Sequence, residues 1–302
     1  MTSSNLDSMP QVAGIAHHRL RVRDLDVHVA ESGPADGPAA LLLHGSPAHW
    51  LEQSGVMTAL ADERGGTRLR SIAPDARGLG WTTGGSRRAD EATLVGDALG
   101  LLDALGIDRV HLVAQDFSMF AGWRLAFDHP DRVASLVALQ SPHPWMRPTA
   151  AMLRNAWRLW FQPVVATPVL GPLVLGAGRQ RLMRHLLAYG GHQVPDAPLG
   201  SFLERMREPE VARGLSALYR QLILPGMAAL PTGPYDGRHL SVPTRILIGA
   251  DDPVLRADAM GPWRGSADDL RVIPIERAAH YVALERPDAV AAAVRELVAA
   301  AG

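Results

Sequence analysis

Cysteine is absent from the 302 residues. No disulfide framework and no thiolate-bound metal can therefore form, which fits a cytoplasmic setting. Lysine is absent too, so all 30 basic residues are arginine, and they offset 31 acidic residues to a net charge of -1. With no basic stripe, a nucleic-acid partner is not expected. No apolar run reaches the roughly 18 residues of a membrane span. The apolar stretch Val164 to Leu175 is broken by Pro168 and Pro172, so no membrane partner is expected. The start, Met1 to Gln11, is polar and has no apolar h-region, so no secretory signal is expected. Internal repeats and low-complexity linkers are missing. What is present is an ordinary globular balance, 47% hydrophobic and 20% charged. That excludes wholesale disorder and allows a sizeable core.

The pattern along the chain predicts an α/β fold. Leu20 to Val22 and Val27 to Ala30 read as a hairpin. Ala39 to Leu43 is a continuous apolar run, as in strands buried on both faces of a parallel sheet. A helix over Trp50 to Ala61 and a strand over Arg68 to Ala73 follow. Next come a helix over Ala89 to Leu105, a strand over Val110 to Ala114, a helix over Ser118 to Asp128 and a strand over Val133 to Leu139. This alternation predicts a mostly parallel sheet flanked by helices. From Trp145 to about Leu240 the patterns turn helical, with Pro and Gly punctuation. Strands resume at Thr244 to Ile248 and Leu270 to Ile275, and Arg286 to Ala300 reads as a last helix. The expected organisation is core 1–144, inserted helical segment 145–240 and core 241–302.

Three residues stand at strand ends in a chemically suggestive order. Ala114-Gln115-Asp116-Phe117-Ser118 joins a strand to a helix in the pattern small-x-nucleophile-x-small. Such a sharp turn lifts its central side chain above the sheet, beside a helix N-terminus. Asp116 could serve there as a nucleophile or merely as a helix cap. Ser118 fits worse, because Asp116 and Phe120 flank it. Asp252, directly before Pro253, follows a later strand at the sheet's carboxyl edge, where α/β sites form. His280 follows the last strand. Nucleophile, acid, histidine is a known catalytic order.

On these residues the chain resembles the α/β-hydrolase fold family, in its epoxide hydrolase branch. His44-Gly45-Ser46-Pro47 with Trp50 matches the branch's HGxP element. Ser141-Pro142-His143-Pro144 resembles the lead into its helical cap, Leu218-Tyr219-Arg220 the cap Tyr-Arg pair, and His280 to Pro287 the terminal histidine motif. The resemblance implies no cofactor and no metal, only a small-molecule epoxide and water. Asp116 would form an alkyl ester. His280 would activate water against it, and Asp252 would orient the imidazole. The amides of Phe117 and Ser46 would hold the oxyanion. Tyr219 would protonate the opened oxygen, with Trp157 standing where the family has a second tyrosine and Tyr189 as a substitute donor. Trp50, Phe117, Trp145, Trp157, Trp160 and Leu255 are expected to line the pocket, which suggests an uncharged cyclic or aromatic epoxide. Homodimerisation is compatible with this reading.

Two other readings are carried. Trp157 with Tyr219 also resembles a fluoroacetate dehalogenase pocket, but Phe117 and Phe120 stand where those enzymes carry arginines. Haloalkane dehalogenases place Trp after the nucleophile, where Phe117 cannot donate to halide. A non-catalytic ligand-binding member of the fold is the third. Gly78-Leu79-Gly80 with Gly84 has the wrong spacing for a dinucleotide loop and is expected near the site's mouth. Asp75 and Arg77 are read as structural. His17-His18 is expected in an exposed segment where two neighbours cannot face one metal. The arginines at 147, 154, 158, 181 and 184 are read as a solvated helix face.

Overall fold

A computed structural model describes residues 9–62, 66–150, 154, 156–189, 194–263 and 265–301. Among the described residues nine strands form one sheet: β1 Ala16–Val22, β2 Leu25–Ser32, β3 Ala39–Leu43, β4 Arg70–Pro74, β5 Thr83–Gly84, β6 Val110–Gln115, β7 Val133–Leu139, β8 Thr244–Gly249 and β9 Leu270–Ile275. Their order is β1-β2-β4-β3-β6-β7-β8-β9, with β5 paired to β2. The β1–β2 and β2–β4 pairs are antiparallel, and β4 to β9 along this order pair in parallel.

The apolar runs explain this. Alternate residues of one strand point to opposite faces, and here both faces are covered. Leu42, Val113, Val137 and Leu247 belong to one buried cluster, shared with Val56, Leu60, Val290 and Val294. Their neighbours Leu41, Leu112, Leu136 and Ile246 belong to the other, shared with Ala98, Leu101, Met119 and Leu125. Each fully buried Leu, Ile or Val contributes about 1.5–3 kcal/mol, so both faces of the central strands hold the sheet between helices. The helices on the first face are α1 Ser54–Ala61 and the terminal helix Pro287–Ala301; on the second they are α2 Glu91–Ala104 and α3 Ser118–Asp128. Helix α2 starts where Asp90 accepts the Thr93 N–H at 2.9 Å, a side-chain cap for an otherwise orphaned amide.

Between β7 and β8 every element described is helical: Phe161–Ala166, Leu170–Gly176, Arg181–Tyr189, Asp196–Met206, Pro209–Leu218 and Leu224–Ala229, with short turns between. This segment rests on the loops that follow β3 and β4. His49 Nε2 meets Ser201 Oγ at 2.9 Å, and the Arg205 guanidinium donates to the Gly80 carbonyl. The Gly78 loop therefore touches the helical segment. Among the described residues no single helix is long and apolar enough to cross a membrane.

Two expectations about the amino-terminal part are corrected. The first strand runs from Ala16 rather than Leu20, so His17 and His18 are not in an exposed segment. The pairing of β1 with β2 brings His17 Nδ1 to 3.1 Å from His28 Nε2. The His28 Nδ1 meets Asp75 Oδ2 at 2.7 Å.

Candidate active site

The turn after β6 carries Asp116 with a positive φ of 53°. This left-handed conformation is costly for most residues but tolerated by Asp and Asn. It lifts the carboxylate off the sheet edge. Helix α3 begins two residues later, and Ser118 Oγ donates to the His44 carbonyl at 2.5 Å. That bond ties the turn to the loop after β3. A Cβ on Gly45 would stand 3.0 Å from the Asp116 Cβ, so the close approach of the two loops favours glycine there. The next amide, Ser46 N–H, donates to Asp116 Oδ2 at 2.9 Å.

The other carboxylate oxygen, Oδ1, faces His280 Nε2 at 3.8 Å. His280 Nδ1 meets Asp252 Oδ2 at 3.2 Å. Asp252 is buried, and its Oδ1 accepts the Val254 and Leu255 amides at 2.6 and 2.7 Å. The neighbouring Asp251 is exposed. Gln140 braces this loop: its Oε1 accepts from Gly249 N and its Nε2 donates to the Leu255 carbonyl. Gln115 Nε2 donates to the His280 carbonyl at 3.1 Å. Sequence reasoning passed over both glutamines, since they do no chemistry and their partners lie more than a hundred residues away.

Electrostatics favour the imidazolium. Burial pushes His280 down, but the Asp252 hydrogen bond and the charges of Asp116, Asp252 and Glu52 outweigh it and raise the pKa to about 9. Glu52 is a site residue that the sequence reading missed. It is fully buried, and its Oε2 accepts the Gly45 N–H at 2.6 Å. Burial first, then repulsion by Asp116, raises it to about 7 against the opposing Gly45 bond. A signal existed: Glu52 is the sole charged residue between positions 37 and 61, and a lone acid in an apolar stretch calls for a partner.

Opposite Asp116 stands Tyr219, buried at the start of a π turn over Tyr219–Ile223. Such turns are rare and concentrate at functional sites. The Tyr219 hydroxyl lies 3.4 Å from Ser46 Oγ. Burial and the Asp116 charge push its pKa well up, so the phenol keeps its proton. The cavity between is about 120 Å³. Pro47, Leu159, Phe161, Leu186, Pro253 and Leu255 give it apolar walls, with Gln162 and Tyr281 also at its edge.

Several expected lining residues lie elsewhere. Trp157 is 66% exposed and Trp160 52% exposed. It is Leu159 and Phe161, next to them in sequence, that face the cavity. A short 3-10 turn, Ala156–Leu159, sets that direction. Trp50 is fully buried in the core, edge-on to His17 and His28. Trp145 packs against Phe127, and its indole N–H donates to the Arg238 carbonyl. The Phe117 ring turns under α3 and packs edge-on to His44. Tyr189 closes the helix Arg181–Tyr189, and its side chain lies outside the described residues. Of the expected lining residues whose side chains are described, Leu255 alone lies on the cavity wall.

Asp75 and Arg77, read as structural, are so placed. Asp75 is buried and accepts the amides of Trp50 and Trp81 at 2.8 Å and the His28 ring. Burial pushes its pKa up, but the surrounding histidines hold it well below the usual range. Arg77 forks between Asp24 and Asp97.

A carboxylate on a left-handed strand–helix turn, facing a histidine that an acid from a later strand holds, defines an α/β-hydrolase. The family model for the α/β hydrolase fold matches residues 38–287, and the chain belongs to that family. Among its relatives, Epoxide hydrolase 1 of Siraitia grosvenorii is 26% identical over 94% of this chain and 98% of its own. Epoxide hydrolase A of Mycobacterium tuberculosis is 29% identical over 90% of this chain and 94% of its own. Epoxide hydrolase 2 of S. grosvenorii is 38% identical over a shorter stretch, 41% of this chain and 38% of that one. A laboratory-evolved variant of potato epoxide hydrolase superposes with a TM-score of 0.78 at 25% identity, covering 95% of this chain and 99% of that one.

Proposed function

We propose that this protein is an epoxide hydrolase that opens an uncharged epoxide through an ester on Asp116, with residues 145–240 as the cap over its site. The carrying observation is the split use of the Asp116 carboxylate. Oδ2 is held by the Ser46 N–H, while Oδ1 is left facing the cavity, His280 and, across it, the Tyr219 phenol. An oxyanion hole that already grips one oxygen of the nucleophile suits a carboxylate ester. The names of the full-length relatives point the same way.

The steps follow from the placement. Oδ1 attacks an epoxide carbon, the C–O bond breaks, and Tyr219 donates its proton to the departing oxygen. The attack discharges Asp116 and leaves a phenolate. The imidazolium, no longer held by the Asp116 charge, returns a proton to Tyr219 and becomes neutral. It is then a base for the water that attacks the ester carbon. Charge develops on Oδ2, already against the Ser46 amide, with the Phe117 amide as the second donor. Collapse releases the diol carrying the original Oδ1, and Asp116 keeps the oxygen from water. His280 thus becomes a base only after the ester exists.

The walls argue for the substrate class. No arginine lines the cavity among the described residues, so an acidic substrate would lack a charge partner. This is also the observation against a fluoroacetate-type dehalogenase. The apolar walls of the cavity suit an uncharged cyclic or aromatic epoxide, and its volume of about 120 Å³ favours a small one. A single turnover of excess enzyme with a styrene-type epoxide in H₂¹⁸O tests the reading. Label on the Asp116 peptide with unlabelled diol supports it. Labelled diol with no label on Asp116 means direct water attack and removes the nucleophile.

A further inference from the structure

The outer face of the helical segment carries large apolar side chains in water. Trp157, Trp160, Val169, Leu170 and Leu173 are between 46% and 80% exposed. They sit on neighbouring elements. Helix Phe161–Ala166 packs on Leu170–Gly176, which packs on Arg181–Tyr189, and the Trp160 ring lies 6.0 Å from that of His185. Soluble surfaces scatter such residues singly; clustered, they mark an interaction face.

The charge around them is of one sign. From Arg132 to Pro195 the sequence contains no Asp or Glu and seven Arg, a run of 64 residues in a chain whose 30 bases and 31 acids nearly balance overall. Arg132 pairs with Asp103, and Arg147 pairs with Asp236. The arginines at 154, 158, 179, 181 and 184 have no carboxylate partner among the described residues. Arg158 lies over the Trp157 ring at 5.1 Å. Arg179 and Arg181 rim an open groove floored by Val174, Ala177 and Leu182. Indole, leucine and guanidinium on one surface are the composition of a helix lying in a bilayer's headgroup layer. Together Trp157–Ala166 and Leu170–Gly176 are apolar enough to pass for a span, but they bend by 108°. At about 1.5 Å per residue each is far shorter than the roughly 30 Å hydrocarbon core. The pair can lie on a membrane but not cross one.

We infer that this cap face docks peripherally on an anionic lipid surface, against the sequence expectation of no membrane partner. A second copy of the chain is the less suited occupant. A twofold contact would set the same unpaired arginines against each other, whereas an anionic bilayer neutralises them. The inner side of the same segment supplies Leu159, Phe161 and Gln162 to the cavity. Docking therefore brings the lipid phase to the back of the cavity wall. The docking claim is independent of the proposed chemistry.

The test is sedimentation of the full-length protein with vesicles of equimolar phosphatidylglycerol and phosphatidylcholine, against pure phosphatidylcholine. Binding is expected to the anionic vesicles and to weaken with salt. The variant R179Q/R181Q/R184Q should bind more weakly by about fivefold per arginine removed. The variant V169S/L170S/L173S should lose binding while its melting temperature holds. Should that variant misfold, the arginine variant, altered at exposed positions, still decides. Lipid-borne bromine should quench tryptophan fluorescence in the wild type and less in W157F/W160F. Three results would overturn the inference. One is no sedimentation with anionic vesicles at low salt. Another is binding indifferent to both multiple variants. The third is a dimer in sedimentation velocity that V169S/L170S/L173S dissociates, which would assign the face to a second copy.

Discussion

Replacing Asp116 by Asn should change the acidity of a different residue. In the resting protein His280 holds its proton to about pH 9, despite burial, through Asp252, Asp116 and Glu52. Asp116 Oδ1 lies 3.8 Å from His280 Nε2. Two unit charges at that distance attract by about 1 kcal/mol in water and about 4 kcal/mol at an effective dielectric of 20. One pKa unit corresponds to about 1.4 kcal/mol. D116N is isosteric and keeps an oxygen for the Ser46 amide, so it should lower the His280 pKa by roughly one to three units. The change mimics the charge that Asp116 would lose on forming the proposed ester, so it measures how far that charge holds the His280 proton. An NMR titration of the His280 ring in both proteins is the assay. A midpoint within about 0.3 unit of the wild type, well inside the smallest shift worked above, would refute the coupling. Stability should follow with a definite sign. A histidine raised in the folded state stabilises fully below its unfolded pKa, near 6.5, and that contribution is lost as pH rises through about 9. Wild-type stability should therefore decline across that window, and D116N should decline less. Denaturant unfolding at pH 6 and pH 9.5 reads the difference.

Glu52→Gln removes a carboxyl raised to about 7 by burial; because the unfolded chain releases this proton first, wild-type stability falls from about pH 4.5 to 7, and the variant should lack that fall, so parallel stability curves would sink the prediction. Tyr219→Phe should slow ester formation by about 10²–10⁴-fold and leave breakdown of a preformed ester near its original rate, as rapid-quench kinetics can separate; equal slowing of both steps counts against a proton donor. Asp75→Ala strands two buried amides and the His28 ring and should cost about 3–5 kcal/mol in denaturant unfolding; a loss below about 1 kcal/mol would mean the network is not holding the fold. Gly214→Ala places a Cβ 2.0 Å from the Gly78 carbonyl oxygen, wedging the helical segment off the core; ester formation should slow more than ester hydrolysis, and unchanged kinetics would show that the contact yields freely.

The sheet was legible because its strands are continuous apolar runs. Ser118 to Asp128, Val133 to Leu139 and Leu270 to Ile275 fall where the pattern put them. Periodicity told less where three-dimensional direction decides. Trp50 follows the HGxP element as a lining residue would, but a 3-10 turn starting at it drives the ring into the core. Trp157 and Trp160 alternate with Leu159 and Phe161, so a small rotation of one turn decides which pair meets the cavity. The Asp116, Asp252 and His280 grouping could be read because each residue sits at a strand end, where the sheet brings distant segments together. Gln115 and Gln140 could not be assigned partners, since hydrogen bonds across 100 residues leave no local trace; Glu52 bonds the Gly45 amide seven residues back only because the loop after β3 folds onto it.

The origin of each wall suggests how this protein's selectivity can drift. The nucleophile, the histidine and its acid come from loops at the sheet edge, fixed by Gly45, Gln115 and Gln140. Leu159, Phe161, Gln162, Leu186 and Tyr219 come from the inserted helices. A lineage can therefore exchange the side chains that line the cavity while the Asp116, Asp252 and His280 grouping stays untouched. Diversity introduced at 159, 161, 162 and 186 should yield many folded variants with altered preference, whereas diversity around Gly45 or Gln140 should mostly yield inactive ones.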